Sequence, residues 1–273
     1  MWLTVDHVTL YRYDTPVRGV VQSHRLTPSR CDGQKVLDWS AEVKDGTPGG
    51  AFRDGAGDWV QGMTVKGPVS EIEVRVKGRI ETFDMAGVLR GHRETVPPEA
   101  YLRETETTVP DQAIRDLAAV MRGDERLAAA HALMEAVADA IAYVPGATVA
   151  ATTAAEALKG GKGVCQDHAQ VMCSAARVAG VPARYVSGYL FADAEAGVHE
   201  AAHAWAELFV AGLGWVGFDA ANRWCPDECY VRLGSGLDAR GAAPIRGSSR
   251  VGATESLHVT VAVHQVETGS SQQ

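Results

Sequence analysis

Gly161-Lys162-Gly163-Val164-Cys165-Gln166-Asp167-His168-Ala169 reads as a loop that becomes a helix, with a cysteine at the junction. From Cys165 an apolar stripe runs through His168 or Ala169, Met172, Ala176 and Ala179, and Gly180 with Pro182 closes the helix. Unpaired backbone N–H groups and the positive end of the helix dipole gather at such a junction, and both favour an anion. A thiol held there loses its proton more readily, and the thiolate is the nucleophile. The same N–H groups suit an oxyanion growing on an attacked carbonyl, which makes Gly163 and Val164 candidates for the oxyanion side of a site. Gly161 and Gly163 also lack the Cβ that would obstruct a substrate backbone. The plainer reading makes Cys165 a small buried apolar residue, the usual role of a free cysteine and the one assigned to Cys173.

A cysteine nucleophile needs an imidazole within hydrogen-bond reach and a third group to orient it. Downstream, His203 precedes the alternating stretch Ala204-Trp205-Ala206-Glu207-Leu208-Phe209, and Asp219 ends Trp215-Val216-Gly217-Phe218. A tight hairpin between these two strands brings both residues to one end of a sheet. Side chains alternate faces, so His203 and Asp219 share a face only if paired residue numbers sum to an even value. A three-residue loop, Ala211 to Leu213, pairs Val210 with Gly214 and meets this condition, whereas a two-residue loop separates the side chains. The spacing predicts the three-residue loop, or a bulge of the same effect, with His203 opposite Ala221 and diagonal to Asp219.

With these blocks in place the chain resembles the transglutaminase-like superfamily. The resemblance rests on residues 161–169, on Val181-Pro182-Ala183-Arg184-Tyr185-Val186-Ser187-Gly188-Tyr189, on His203-Ala204-Trp205-Ala206-Glu207 and on Gly214-Trp215-Val216-Gly217-Phe218-Asp219. It implies a papain-like core, with a central helix packed on an antiparallel sheet, and a Cys–His–Asp triad that falls on Cys165, His203 and Asp219. The start of the chain is similar to the β-rich N-terminal region of the bacterial branch, through Val5-Asp6-His7-Val8-Thr9-Leu10-Tyr11-Arg12-Tyr13 and His24-Arg25-Leu26-Thr27-Pro28. After Asp219 that branch continues with a proline, whereas Ala220-Ala221-Asn222 stands here. The reaction implied is acyl transfer on a peptide or protein amide through a thioester. Water is the favoured acceptor, giving a cysteine peptidase or amidase. An amine-transferring crosslinker and a non-catalytic binding module on the same fold are the alternatives. Trp205, Trp215 and Tyr189 read as core aromatics, and Trp205 and Tyr189 are further candidates for walling the acyl groove or donating to the oxyanion.

Outward from these blocks, the fold class is α+β. Leu127, Ala130, Met134, Val137 and Ile141 step by three and four, the mark of an amphipathic helix ended by Pro145-Gly146. Thr153 and Glu156 form a capping-box pattern that opens a short helix stopping at Gly160-Gly161. Towards the N-terminus Leu3, Val5 and His7 alternate with polar residues, as do Ile72, Val74 and Val76, with Gly- and Pro-rich breaks between. Residues 1–95 are expected to form an antiparallel β-domain. Residues 96–273 are expected to form the catalytic core, with a loop-rich tail and a last strand through Leu257, Val259, Val261 and Val263.

The 273 residues, 46% hydrophobic and 22% charged, have the composition of a globular protein. A net charge of −8 without a basic stripe excludes a nucleic-acid surface. No stretch approaches the roughly 20 apolar residues of a membrane helix. Five cysteines, an odd number without scaffold-like spacing, point to reduced thiols and a cytoplasmic protein. No cofactor is expected.

One rival shares a residue with the triad. His199-Glu200-Ala201-Ala202-His203 matches His-Glu-x-x-His, which on a helix binds zinc through its histidines and uses the glutamate as base. Its longer form continues with glycine and a third histidine, where this chain has Ala206 and Phe209. Gly197 and the strand-like alternation after His203 also oppose the helix it needs. Cys225-Pro226-Asp227-Glu228-Cys229 has zinc-like spacing but no second ligand pair. It reads as a surface loop with two free thiols.

Overall fold

The computed structural model describes residues 1–123, 125–192, 201–249 and 254–266. Strand β1, Trp2–His24, buries Leu3, Val5, His7, Thr9, Tyr11 and Tyr13 in strict alternation with more exposed neighbours. That period of two gives the strand one packed and one wet face. Strands β2 (Gln34–Val43), β3 (Gly46–Arg53) and β4 (Trp59–Thr82) follow. β4 runs antiparallel to β1 over nearly its whole length, from Trp2↔Glu81 to His24↔Gln61, with register shifts between Arg12 and Gly19. β2 and β3 both pair with β4. Residues 83–97 carry no strand; a bridge between Val88 and Val216 ties this connection to the second layer.

The helical part comprises α1 (Gln112–Ala118), α2 (Arg126–Ala140), α3 (Ala154–Gly160) and α4 (Cys165–Val178). Two-residue strands β5 (Ala142–Tyr143) and β6 (Lys162–Gly163) pair in parallel and bring the end of α2 beside the start of α4. The capping box of α3 is complete: Glu156 N donates to Thr153 Oγ1 and Thr153 N to Glu156 Oε2. Gly161 closes that helix in the left-handed region, at φ 61°. In α2 the expected Ala130, Met134, Val137 and Ile141 are buried, but Leu127, in the first turn, is exposed and Leu133 takes its share of the core. In α4 the single stripe expected from sequence understates the burial. Twelve of its fourteen residues are buried, because α1, α2 and α3 flank the helix while β7 (Ala183–Leu190) and β8 (Ala202–Val210) cover its remaining side. Alanine, serine and cysteine hide equally well on any side, so periodicity cannot see this.

β7 and β8 belong to a four-stranded antiparallel sheet with β9 (Gly214–Phe218) and β10 (Tyr230–Gly236), in the order β10-β7-β8-β9. Val210 pairs with Gly214 across a three-residue loop, the register predicted above. The regular ladder reaches only Ala206↔Phe218, and Asp219 lies one residue beyond the strand, bridged to Trp224. The last strands, β11 (Ile245–Ser249) and β12 (Glu255–Gln265), both pair with β1. The closing strand expected with the core therefore joins the N-terminal sheet, making it six-stranded. Leu3, Val5, Ile80 and Val263 of that sheet pack against Tyr189, Val231 and Leu233 of the other.

Candidate active site

Cys165 is the first residue of α4 and only 1% exposed. The turn before it is fixed by Asp167, whose Oδ2 accepts from Val164 N at 2.8 Å and from Thr148 Oγ1 at 2.7 Å. This is half of a capping box; a valine at the N-cap has no oxygen to complete it. A Cβ on Gly163 would stand 2.6 Å from that same Oδ2, so the glycine leaves room for the capping carboxylate. His168 braces the turn from below, its Nδ1 at 2.9 Å from the Val164 carbonyl and its Nε2 at 2.9 Å from that of Ile141. The Cys165 thiol donates to Gln166 Oε1 at 3.4 Å.

His203, 8% exposed, stands in the second residue of β8. Its Nε2 lies 2.6 Å from Asp219 Oδ2, and Cys165 is near enough for its thiol to bear on the ring's protonation. With Nε2 engaged by the carboxylate, Nδ1 is the nitrogen left for sulfur. Burial pushes the imidazolium's pKa down. The hydrogen bonds and opposing charges of Asp219 and Cys165 outweigh burial and lift it to about 10. Burial raises Asp219 in turn, but the His203 contact and the donors around it hold the carboxyl below its usual value.

Asp219 is held from every side. Its Oδ1 accepts from the backbone N–H of Ala221 at 3.0 Å and of Asn222 at 3.3 Å. Its Oδ2 accepts from His203, from Tyr230 Oη at 2.7 Å and from Asn222 Nδ2 at 2.7 Å. Trp224 Nε1 donates to the Tyr230 hydroxyl. Trp205 stacks on the imidazole, with ring centroids 6.4 Å apart and planes 26° apart, and Tyr230 meets both rings edge-on. A carboxylate this well supplied with donors stays ionised and cannot turn, so the imidazole is fixed as well.

The structure thus brings together Cys165, His203, Asp219 and Trp205. It puts Tyr189 elsewhere: 1% exposed, with its hydroxyl 2.7 Å from His7 Nδ1, in the seam between the two sheets. The N–H of Val164 is occupied by Asp167. His199 and Glu200 lie outside the described residues, but Ala202–Val210 is a strand, not the helix that a zinc-binding His203 requires. Among the described residues no group of His, Cys, Asp and Glu is placed to hold a metal. Cys225 and Cys229 are free, and burial pushes their thiols up to about 11 and about 12. Sequence reasoning missed Tyr230, Asn222 and Asp167. Asn222 had a visible signal, since an Asn three residues after an Asp at a strand end is a local turn pattern. Tyr230 had none, because its place depends on β10 pairing with β7.

Residues 115–220 match the model of the transglutaminase-like superfamily, and residues 3–81 match the bacterial transglutaminase-like N-terminal region. The chain is 28% identical to the uncharacterized protein ML0607 of Mycobacterium leprae over 283 residues, covering 96% of this chain and 99% of that one. It is 35% identical to the uncharacterized protein Rv2569c of Mycobacterium tuberculosis over 114 residues, 38% of this chain and 36% of that one. Among solved structures it is similar to a protein from Cytophaga hutchinsonii named as a candidate cysteine protease. The TM-score is 0.71 at 19% identity, over 98% of this chain and 92% of that one, a likeness of fold. No helix among the described residues is long and apolar enough to cross a membrane.

Proposed function

We propose that this chain, built from a transglutaminase-like core and a bacterial transglutaminase-like N-terminal region, cleaves peptide or other amide bonds through a thioester on Cys165. The observation that carries this reading is His203, buried and held 2.6 Å from the Asp219 carboxylate, with the Cys165 thiol near enough to raise its pKa. Sγ attacks the amide carbonyl as its proton resides on His203, and the carbonyl electrons move to oxygen. In α4 the N–H groups of Asp167 and His168 turn back to the Val164 carbonyl. Those of Cys165 and Gln166 have no intrahelical partner and suit the oxyanion. When the tetrahedral species collapses, the C–N bond breaks and the imidazolium gives its proton to the departing amine. Asp219 keeps the ring oriented and stabilises its cationic form. Water, deprotonated by His203, then attacks the thioester, releasing the acid and restoring the thiol. An amine in place of water gives transfer instead. The five free cysteines fit a reducing, cytoplasmic setting.

The test begins with iodoacetamide at neutral pH, followed by mapping of the modified thiols. Labelling concentrated on Cys165 and lost in His203→Ala supports the triad; a Cys165 that stays unmodified while the other thiols react overturns it. Incubating a glutamine-containing peptide with and without a primary amine then distinguishes hydrolysis from transfer.

A further inference from the structure

An open groove of about 750 Å³ runs past the N-terminus of α4, and Val164 and Gln166, the two neighbours of Cys165, are part of its wall. Apart from Val149 the rest of the lining is small or polar, chiefly alanines at 150, 151, 239 and 243 and threonines at 107, 148 and 153. Two charged side chains besides Asp167 reach it, Glu106 and Arg240. Asp167 is spent on the turn that presents the cysteine, as described above. Arg240 is different: exposed, its side chain without a hydrogen bond or ion pair to any described residue, yet mounted on a rigid turn.

The rigidity comes from its neighbours. Asp238 Oδ1 accepts from Gly241 N at 2.6 Å and its carbonyl accepts from Ala242 N at 3.0 Å. Thr107 Oγ1 donates to Asp238 Oδ2 at 3.3 Å, across to the opposite chain segment. Ser187 Oγ donates to the Ala242 carbonyl at 2.7 Å, and the buried Arg177 donates to that of Leu237. An unpaired guanidinium on such a mount is available to a planar anion, and a carboxylate matches its fork. Arg240 is the one positive side chain in a groove lining that also holds Glu106 and Asp167.

A second observation points to a ligand. Gln170 lies against the groove and is 3% exposed; its Nε2 donates to the Thr152 carbonyl at 3.2 Å, while its Oε1 has no partner. Buried acceptors are ordinarily satisfied by protein or ordered water, so Oε1 is an acceptor in the groove wall still to be filled.

We infer that this groove seats the acyl donor and that Arg240 selects donors carrying a carboxylate near the scissile amide. This rests on the reading of Cys165 as nucleophile. Glu106, which forms no ion pair with Arg240, repels a second negative charge, so the favoured donor is a peptide with a single acidic residue and not a polyanion.

The experiment uses N-chloroacetyl peptide amides with one to three alanines before a final Glu or Gln, and reads the rate of Cys165 alkylation by mass spectrometry. Wild type is expected to react about tenfold faster with the best Glu probe than with its Gln twin, the factor that one charge-assisted contact supplies. Arg240→Ala brings that ratio close to one, Arg240→Lys retains part of it, and Glu106→Gln raises it. Equal rates for the two probes in wild type, or a preference that survives Arg240→Ala, overturn the proposal. If iodoacetamide labels Cys165 while no peptide probe discriminates, the groove assignment fails and the thiol reading stands. If Cys165 resists iodoacetamide as well, the thiol reading fails and this one falls with it.

Discussion

At the residue scale, His203 and Asp219 make two predictions about pH. In the proposed mechanism the imidazolium, lifted to about 10, protonates the departing amine. Hydrolysis of an amide is therefore expected to fall above about pH 10, whereas an activated thioester donor, whose leaving group needs no proton, keeps reacting; parallel pH–rate profiles check this. Asp219→Asn removes the charge that raises His203, so the falling limb moves towards the ordinary imidazole range and kcat/KM drops by about 10³ to 10⁴, as expected when a fixed imidazole loses its orienting carboxylate. Stability follows the same sign. A histidine raised above 6.5 stabilises the folded state fully below that value, and the contribution is lost as pH rises through about 10. The gap in urea midpoint between wild type and Asp219→Asn should close over that window. Tyr230→Phe is milder: one of several donors to Asp219 goes, at a cost of about 1.5–3 kcal/mol, with the histidine contact intact. Cys165, His203 and Asp219 were legible because each stands at a boundary the sequence marks, a helix start or a strand end. Tyr230 was not, since nothing near it in sequence says that its hydroxyl meets a carboxylate eleven positions earlier.

At the scale of elements, the β8–β9 hairpin decides whether there is a site at all. Its loop turns on Gly212 and Gly214, at φ 87° and 85°, a region that costs other residues about 1–2 kcal/mol each. The three-residue count sets the parity that puts His203 and Asp219 on one face. With Gly212 deleted, a three-residue loop of Ala211, Leu213 and Gly214 pairs Val210 with Trp215 and reverses that parity. The expected outcome is a protein with near-native circular dichroism in which thiol labelling at Cys165 no longer depends on His203. Retained dependence would show that the strand slips back into register. The hairpin was readable because its loop is short and its alternation strict. The partner of β12 was not readable: alternation at Leu257, Val259, Val261 and Val263 identifies a strand but carries no information about β1, some 250 positions away. For α4 the sequence marked where the helix begins but not how deeply it is buried, since its alanines and cysteines look alike on every side.

In the whole molecule, the N-terminal sheet is held to the four-stranded sheet behind Trp205 and Glu207 by a seam of two kinds. Part of the seam is apolar, around Leu3, Val5, Tyr189 and Val231. The rest is ionic and buried. Arg232 donates to Asp58 at 2.7 Å and to Glu207 at 2.9 Å, and Arg184 donates to Glu207 and Glu94, each at 2.6 Å. Asp58 also accepts from Ser29 Oγ and from both N–H and Oγ of Ser235. The guanidinium of Arg184 sits 4.0 Å over the Trp215 ring. The partners are so far apart in the chain that no local pattern forecasts them; Asp58 and Arg232 are separated by 174 positions. Burial raises the carboxyl of Glu207, yet the two arginines overcome that and bring it down to about 2. The network therefore exists only as a charged whole, and removing one member leaves others buried without a counter-ion. Arg232→Met strips both Asp58 and Glu207 of their main partner and should cost about 3–5 kcal/mol in urea unfolding. Restoring neutrality with Arg232→Met and Asp58→Asn together should recover part of that loss. If the single variant unfolds at the wild-type midpoint, the seam is held by its apolar half alone. Because Glu207 lies two residues along β8 from Trp205, the loss is also expected to reach His203, appearing as slower Cys165 alkylation under conditions where the variant is still folded.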